Sequence, residues 1–97
     1  MEAANGKVTV RFLGSLKDVF RQTEMSLDLA RARTAGDLLG FICTTPEQTQ
    51  TIYAQPGSVR PGVNVLVNGR NIAFSEHLDT SLQDGDLVTV FLPTAGG

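Results

Sequence analysis

The stretch DGDLVTVFLPTAGG, residues 84–97, decides how the rest of the chain is read. LVTVFL (87–92) alternates as a β-strand does, with Val88, Val90 and Leu92 on one side and Leu87 and Phe91 on the other. Asp84-Gly85 before it marks a turn. Pro93 after it ends the strand, because proline has no N–H to give to a ladder. Thr94, Ala95, Gly96 and Gly97 then offer no large apolar group whose burial would offset the entropy lost on ordering them. The expectation is a domain over 1–93, with 1–6 disordered, carrying a flexible tail over 94–97.

Working back from this strand, KVTVRFL (7–13) also alternates, with Val8, Val10 and Phe12 on one face and Thr9, Arg11 and Leu13 on the other. MSLDL (25–29) repeats the pattern and reads as a second strand, hairpin-related to the first. The spacing predicts the main helix over 34–45 (TAGDLLGFICTT), with Thr34 as its cap and Asp37 in the first turn. Leu38, Leu39, Ile42 and Cys43 form its apolar stripe, while Gly36 and Gly40 weaken it. The polar segment 46–62, with three prolines and two glycines, reads as a loop with one helical turn near 51–54. VNVLVNG (63–69) is a strand with Val63, Val65 and Val67 on one face, Asn68-Gly69 is a turn, and NIAF (71–74) is a short strand. The first and last strands are apolar on both faces, which suits central places in a sheet. Two strands, one helix and then more strands make an α+β domain: a mixed sheet packed on one main helix. A small sheet wrapped around a single helix is the β-grasp plan.

The bulk numbers exclude several classes. Ninety-seven residues make one small domain. A net charge of −2 and a pI near 5.1 argue against nucleic acid as a direct partner. The single cysteine, Cys43, allows no internal disulfide, and no apolar run approaches the ~20 residues of a membrane span. MEAANGK (1–7) lacks the basic and apolar regions of a secretory signal. These features together lead to the expectation of a cytoplasmic protein, monomeric when alone.

On the two glycines alone, a flexible or accidental end is the simpler reading. The context adds to it. A strand, a proline, two small residues and two glycines make a rigid base with a slim arm, and glycine enters channels that a Cβ would close. A carboxylate on such an arm can reach another protein's active site, attack the α-phosphate of ATP and become an acyl-adenylate. RPGVNVLVNGRNIAF, LDTSLQDGDLVTVFLPTAGG and VRFLGSLKDVF resemble the MoaD/ThiS family of ubiquitin-like β-grasp sulfur carriers, closest to the branch that includes MoaD-like proteins and archaeal small modifiers. GSVRPGVNVLVN is also similar to the eukaryotic ubiquitin-related modifier. The similarity is strong over 60–97 and weak over 44–59, and Leu92 stands where relatives often carry proline.

The resemblance implies that 14–21 is helical. It also implies that the Gly97 carboxylate is adenylated by a MoeB/ThiF-like activating enzyme and converted to a thiocarboxylate, with Gly96 keeping the approach open. ATP then belongs to the activating enzyme, and the chain itself binds no cofactor or metal and is a carrier rather than an enzyme. It could also be the small subunit of a molybdopterin synthase-type complex. The sulfur would serve molybdenum cofactor biosynthesis or tRNA thiolation. A second reading has the same carboxylate joined to lysines of target proteins, with Lys7 and Lys17 as acceptors on the chain itself. A third is a β-grasp interaction domain without tail chemistry. Leu13, Leu66 and Phe91 are the expected docking patch for the activating and sulfur-acceptor enzymes, continued by Pro93, Thr94 and Ala95. This patch assumes that the 46–62 loop leaves it uncovered.

The remaining reactive residues point elsewhere. His77, the only histidine, lies in a turn and reads as solvated. Cys43 lies on the apolar stripe without a basic neighbour in sequence to lower its pKa. Asp84 and Asp86 flank a turn glycine without the spacing of a calcium loop. Arg60 in PGSVRPG lacks the glycine–lysine pattern of a phosphate loop and reads as a surface charge.

Overall fold

The computed structural model describes residues 6–92. The tail expectations on Pro93, Thr94, Ala95, Gly96 and Gly97, and the expected disorder of residues 1–5, lie outside the described residues. Gly6 itself is tied in, because its carbonyl accepts from the Leu29 N–H at 2.8 Å.

The chain runs β1 (Lys7–Phe12), α1 (Leu16–Phe20), β2 (Glu24–Asp28), α2 (Ala35–Ile42), α3 (Pro46–Ile52), β3 (Tyr53–Gln55), β4 (Ser58–Val59), β5 (Asn64–Val67), β6 (Arg70–Asn71) and β7 (Leu87–Phe91). Short 3₁₀ turns lie at Leu29–Arg31, Ile72–Phe74 and His77–Asp79. The main sheet has the order β2-β1-β7-β5-β6. The first and last strands take the two inner places side by side and parallel, with Val10 opposite Val88 and Phe12 opposite Val90. β2 and β5 flank them antiparallel. This is the ubiquitin-like β-grasp fold.

One face of this sheet is dry. Val8, Val10, Phe12, Val65, Val88 and Val90 are buried against Leu38, Leu39 and Ile42 of α2. The Phe12 and Phe20 rings stack with centroids 4.4 Å apart, which anchors α1 over the same face. Among the described residues no polar or charged side chain is buried. α2 starts where its cap residue directs, since the Thr34 hydroxyl oxygen accepts from Asp37 N–H at 3.1 Å. Its two glycines differ. A Cβ on Gly36 would stand 3.0 Å from the Leu78 carbonyl oxygen, whereas one on Gly40 would meet nothing within 4 Å.

Two segments depart from the sequence reading. The expected 46–62 loop holds α3 and the β3–β4 hairpin. The reason is local: Thr45 caps the helix, accepting from Gln48 N–H at 3.1 Å, and Pro46 sits in the first turn, where its missing N–H costs nothing. The Gln48 side chain accepts from Thr44 N–H at 2.8 Å, which completes the cap. Ile52 is fully buried and fixes α3 to the core. The second departure is at 71–74, where β6 stops at Asn71. The Asn71 side chain accepts from Ala73 N–H at 2.9 Å, which bends the chain into a 3₁₀ turn and buries Ile72. The helical expectation for 14–21 is met by α1, and the single main helix gains α3 as a companion.

Candidate functional site

The strand parity that buries Val88 and Val90 sends Leu87, Thr89 and Phe91 to the opposite face. Register assembles that face from distant parts of the chain. Leu66 of β5 lies opposite Thr89, and Asn64 lies opposite Phe91. Thr9 and Arg11 of β1 lie opposite Leu87 and Thr89. Leu13 follows β1, and its N–H donates to the Val90 carbonyl at 3.2 Å, which brings it beside the end of β7. Leu13 is 41% exposed, while Leu66, Leu87 and Phe91 are half-buried. Leu13, Leu66 and Phe91, separate in sequence, therefore share one sheet face at the strand that leads into the C-terminal segment.

The rest of that face is polar. On its β2 side the cross-strand pairs are charged: Lys7 Nζ meets Asp28 Oδ1 at 2.8 Å and Arg11 meets Glu24 at 3.8 Å. The Lys7 ammonium, first by its hydrogen bond and then by its charge, holds the Asp28 carboxyl below the usual carboxylate range. On the β5–β6 side, Asn71 Nδ2 donates to Asn64 Oδ1 at 3.2 Å. The 46–62 segment lies with the helices, where Gln48 Nε2 donates to the Val19 carbonyl of α1 at 3.4 Å and Ile52 enters the core.

The other reactive groups have structural employment. Asp84 Oδ1 accepts from Lys7 N–H at 2.9 Å. Asp86 accepts from Asn68 Nδ2 at 2.9 Å and from Gln83 N–H at 2.8 Å. Both acids thus tie down the turn before β7. Cys43 is half-buried, and desolvation pushes its thiol up to about 11, so it carries little thiolate at neutral pH. It borders an open groove of about 490 Å³ with Tyr53 and Pro56, which none of the predicted site residues lines. Arg60 Nε donates to the Gln50 carbonyl at 2.6 Å, a local tie. His77 is exposed in a turn with φ of 54°. Lys17 is exposed on α1, and Lys7, also exposed, holds its ion pair. Among the described residues no group of three or more His, Cys, Asp or Glu is placed to hold a metal, and no helix is long and apolar enough to cross a membrane.

Sequence reasoning passed over two exposed aromatics. Phe74 is 75% exposed at the end of its 3₁₀ turn, where its carbonyl accepts from the Arg70 guanidinium at 3.1 Å. Reading 71–74 as a strand hid it. Phe41 is 39% exposed on the outer side of α2, with the Arg31 guanidinium 5.8 Å from its ring centre. Its place off the stripe of Leu38, Leu39 and Ile42 was the available signal.

Comparison with known proteins agrees with this architecture. Small archaeal modifier protein 3 of Haloferax volcanii is 33% identical over 91 residues, covering 94% of this chain and 99% of that protein. Sulfur carrier protein CysO of Mycobacterium tuberculosis is 33% identical over 70 residues, covering 65% of this chain and 75% of that one. The solution structure of small archaeal modifier protein 1 from Methanosarcina acetivorans superposes with a TM-score of 0.82 over 96% of this chain and 98% of its own, at 24% identity, which speaks to the fold alone. The model of the ThiS family matches residues 10–97, and the chain belongs to that family.

Proposed function

We propose that this chain is a sulfur-carrier protein whose reacting group is the C-terminal carboxylate of Gly97. The observation that carries the reading is the family match, which runs through the central strand β7 to the Gly-Gly end at residue 97. A carboxylate oxygen of Gly97 attacks the α-phosphorus of ATP in a partner activating enzyme, and pyrophosphate leaves. A sulfur nucleophile then attacks the acyl carbon of the adenylate, and AMP leaves. The sulfur held at Gly97 passes on to an acceptor enzyme. Gly96 keeps the approach narrow, and Pro93, Thr94 and Ala95 span from β7 to the reacting end. ATP is a substrate of the partner, so the chain itself needs no cofactor, and it acts as a protein co-substrate. Leu13, Leu66 and Phe91 supply the apolar surface on which the activating and acceptor enzymes dock, since apolar groups left partly open on one sheet face suit protein contacts. The most fitting acceptors are a molybdopterin synthase-type large subunit, with this chain as the small subunit, or a tRNA-thiolating enzyme.

A second reading shares every step up to the adenylate. The relative that covers most of this chain at 33% identity bears the name of a modifier. In that reading a lysine amine, on a target protein or on Lys7 or Lys17 of another copy, displaces AMP and forms an isopeptide.

ATP–pyrophosphate exchange with the cognate activating enzyme tests both. Deleting Gly97 draws the carboxylate back by up to ~3.5 Å of chain, while attack on phosphorus needs an approach of ~3–3.5 Å. Exchange should disappear, and an alanine appended after Gly97 should have the same effect. Gly96→Ala should be milder. Undiminished exchange from the deletion would leave only an interaction domain without tail chemistry. The intact mass of protein from its native cell separates the two readings. A gain equal to sulfur minus oxygen marks the carrier, and a lysine-branched species marks the modifier.

A further inference from the structure

Asn68 and Gly69 form the turn between β5 and β6, both at positive φ, 52° and 87°. The Asn68 side chain reaches out of that turn to the start of β7. Its Nδ2 donates to Asp86 Oδ1 at 2.9 Å, and its Oδ1 accepts from Leu87 N–H at 2.9 Å. Its backbone N–H donates to the Leu87 carbonyl at 2.7 Å. The Asp86 carbonyl accepts from Thr9 N–H at 3.0 Å, and Gly85 N–H donates to the Lys7 carbonyl at 2.8 Å. One carboxamide thus stands where β1, the β5–β6 turn and the start of β7 meet. The junction requires an amide. Ionised Asp86 only accepts, so its partner must donate, while Leu87 N–H needs an acceptor; a carboxamide supplies both.

The same dipeptide carries chemistry that destroys an amide. Glycine has no Cβ to obstruct its backbone nitrogen from reaching the preceding side-chain carbonyl. When the Gly69 nitrogen gives up its proton to solvent base and attacks Asn68 Cγ, a C–N bond forms, the Cγ–Nδ2 bond breaks, and the departing nitrogen takes a proton from solvent and leaves as ammonia. Water then opens the cyclic imide to aspartate or isoaspartate. We propose that Asn68 is a spontaneous deamidation site whose conversion releases the clamp on β7. In the closed turn both ends of the carboxamide are held, so the reaction proceeds from the opened hairpin. β6 has two residues, joins β5 through two residue pairs and ends the sheet, so this hairpin belongs to the part of the fold that opens locally. The aspartate product sets two carboxylates where a 2.9 Å hydrogen bond now stands. Isoaspartate adds a backbone carbon to a two-residue turn and disturbs the pairing of Val67 with Arg70. The neighbouring charges give no relief: Asp84 is a further acid, Lys7 Nζ is engaged by Asp28, and the Arg70 guanidinium points to the Phe74 carbonyl.

Two measurements test this. The full chain is incubated in mildly alkaline buffer, folded or in denaturant, and the Asn68 peptide is followed for the mass gain of amide-to-acid conversion. Conversion should be at least about tenfold slower in the folded protein, and Asp86→Ala should raise the folded rate. Equal folded and denatured rates would overturn the clamp. Asn68→Asp should lower the thermal midpoint by about 5 °C or more at neutral pH. The double variant Asn68→Asp/Asp86→Asn exchanges donor and acceptor and should recover the midpoint, even if the single variant does not fold. A single variant that melts like the wild type, or a double variant without recovery, would refute the proposal.

Discussion

The two faces of the central sheet use alternate residues of the same strands and differ in burial and composition. On the inner face Val8, Val10, Phe12, Val88 and Val90 are at most 1% exposed and meet only apolar groups. On the outer face their neighbours Thr9, Arg11, Leu87, Thr89 and Phe91 are half-buried or exposed, a mixture of apolar, hydroxyl and charged groups. A shift of one residue in β7 would exchange the two sets, so whatever fixes the start of β7 protects the core and the make-up of the outer face at once. The lesson is that burial along a strand does not measure importance. The inner set carries the core, and the outer set, though less buried, is the face on which the proposed docking of partners rests.

The largest expected effect lies on the inner face. Phe12→Ala removes a buried ring stacked on Phe20 and should cost about 3–5 kcal/mol in chemical denaturation, enough to unfold a domain of this size. If it cost less than 1 kcal/mol, the contrast between faces would fail. Next comes a matched pair on β7. Val90→Ala should cost about 2 kcal/mol of stability. Phe91→Ala should cost clearly less stability, yet weaken binding to an activating enzyme by more than about 1 kcal/mol in calorimetric titration. The reverse order would place the functional face on the wrong side.

A smaller effect separates the two glycines of α2. Gly40→Ala, with open space at its Cβ, should raise stability by up to ~1 kcal/mol in denaturant melts. Gly36→Ala should lower it, because the methyl meets the Leu78 carbonyl oxygen at 3.0 Å. The smallest effect concerns the charged margin of the outer face. The folded Asp28 carboxyl is depressed by its hydrogen bond to Lys7 and by the Lys7 charge, so its stabilisation is present above the unfolded carboxylate range. That stabilisation is lost as pH falls through the folded value. Asp28→Asn should therefore flatten the acid limb of the stability curve slightly, as followed by denaturant melts across acidic pH. A steeper acid limb would refute the assignment.

Where local chemistry governed, the sequence was legible. Alternation in 7–13 and 87–92 assigned every inner residue correctly, and Thr34 caps the helix it was expected to cap. The failures were also local signals, outweighed by others. Three prolines in 46–62 suggested a loop, although Thr45-Pro46-Glu47-Gln48 carries both a cap residue and a first-turn proline. NIAF has the composition of a strand, yet the Asn71 side chain competes for Ala73 N–H and turns the chain. Phe74 went unnoticed for the same reason, since its exposure follows from that turn.

By itself the sequence determined the inner and outer sets of each strand, the cap of the main helix and the turn at Asn68-Gly69. These depend on period-two geometry, on side chains bonding their own backbone and on the absence of a Cβ, all within a few residues. Only the tertiary structure decided which strands lie side by side. It set β1 parallel to β7 and β5 on the other side, and so brought Leu13, Leu66 and Phe91 to one face and tied Asn68 to Asp86. The physical reason is that strand pairing is closed by hydrogen bonds between residues far apart in the chain. Its register is selected by burying one whole face of the sheet together, which no local pattern specifies.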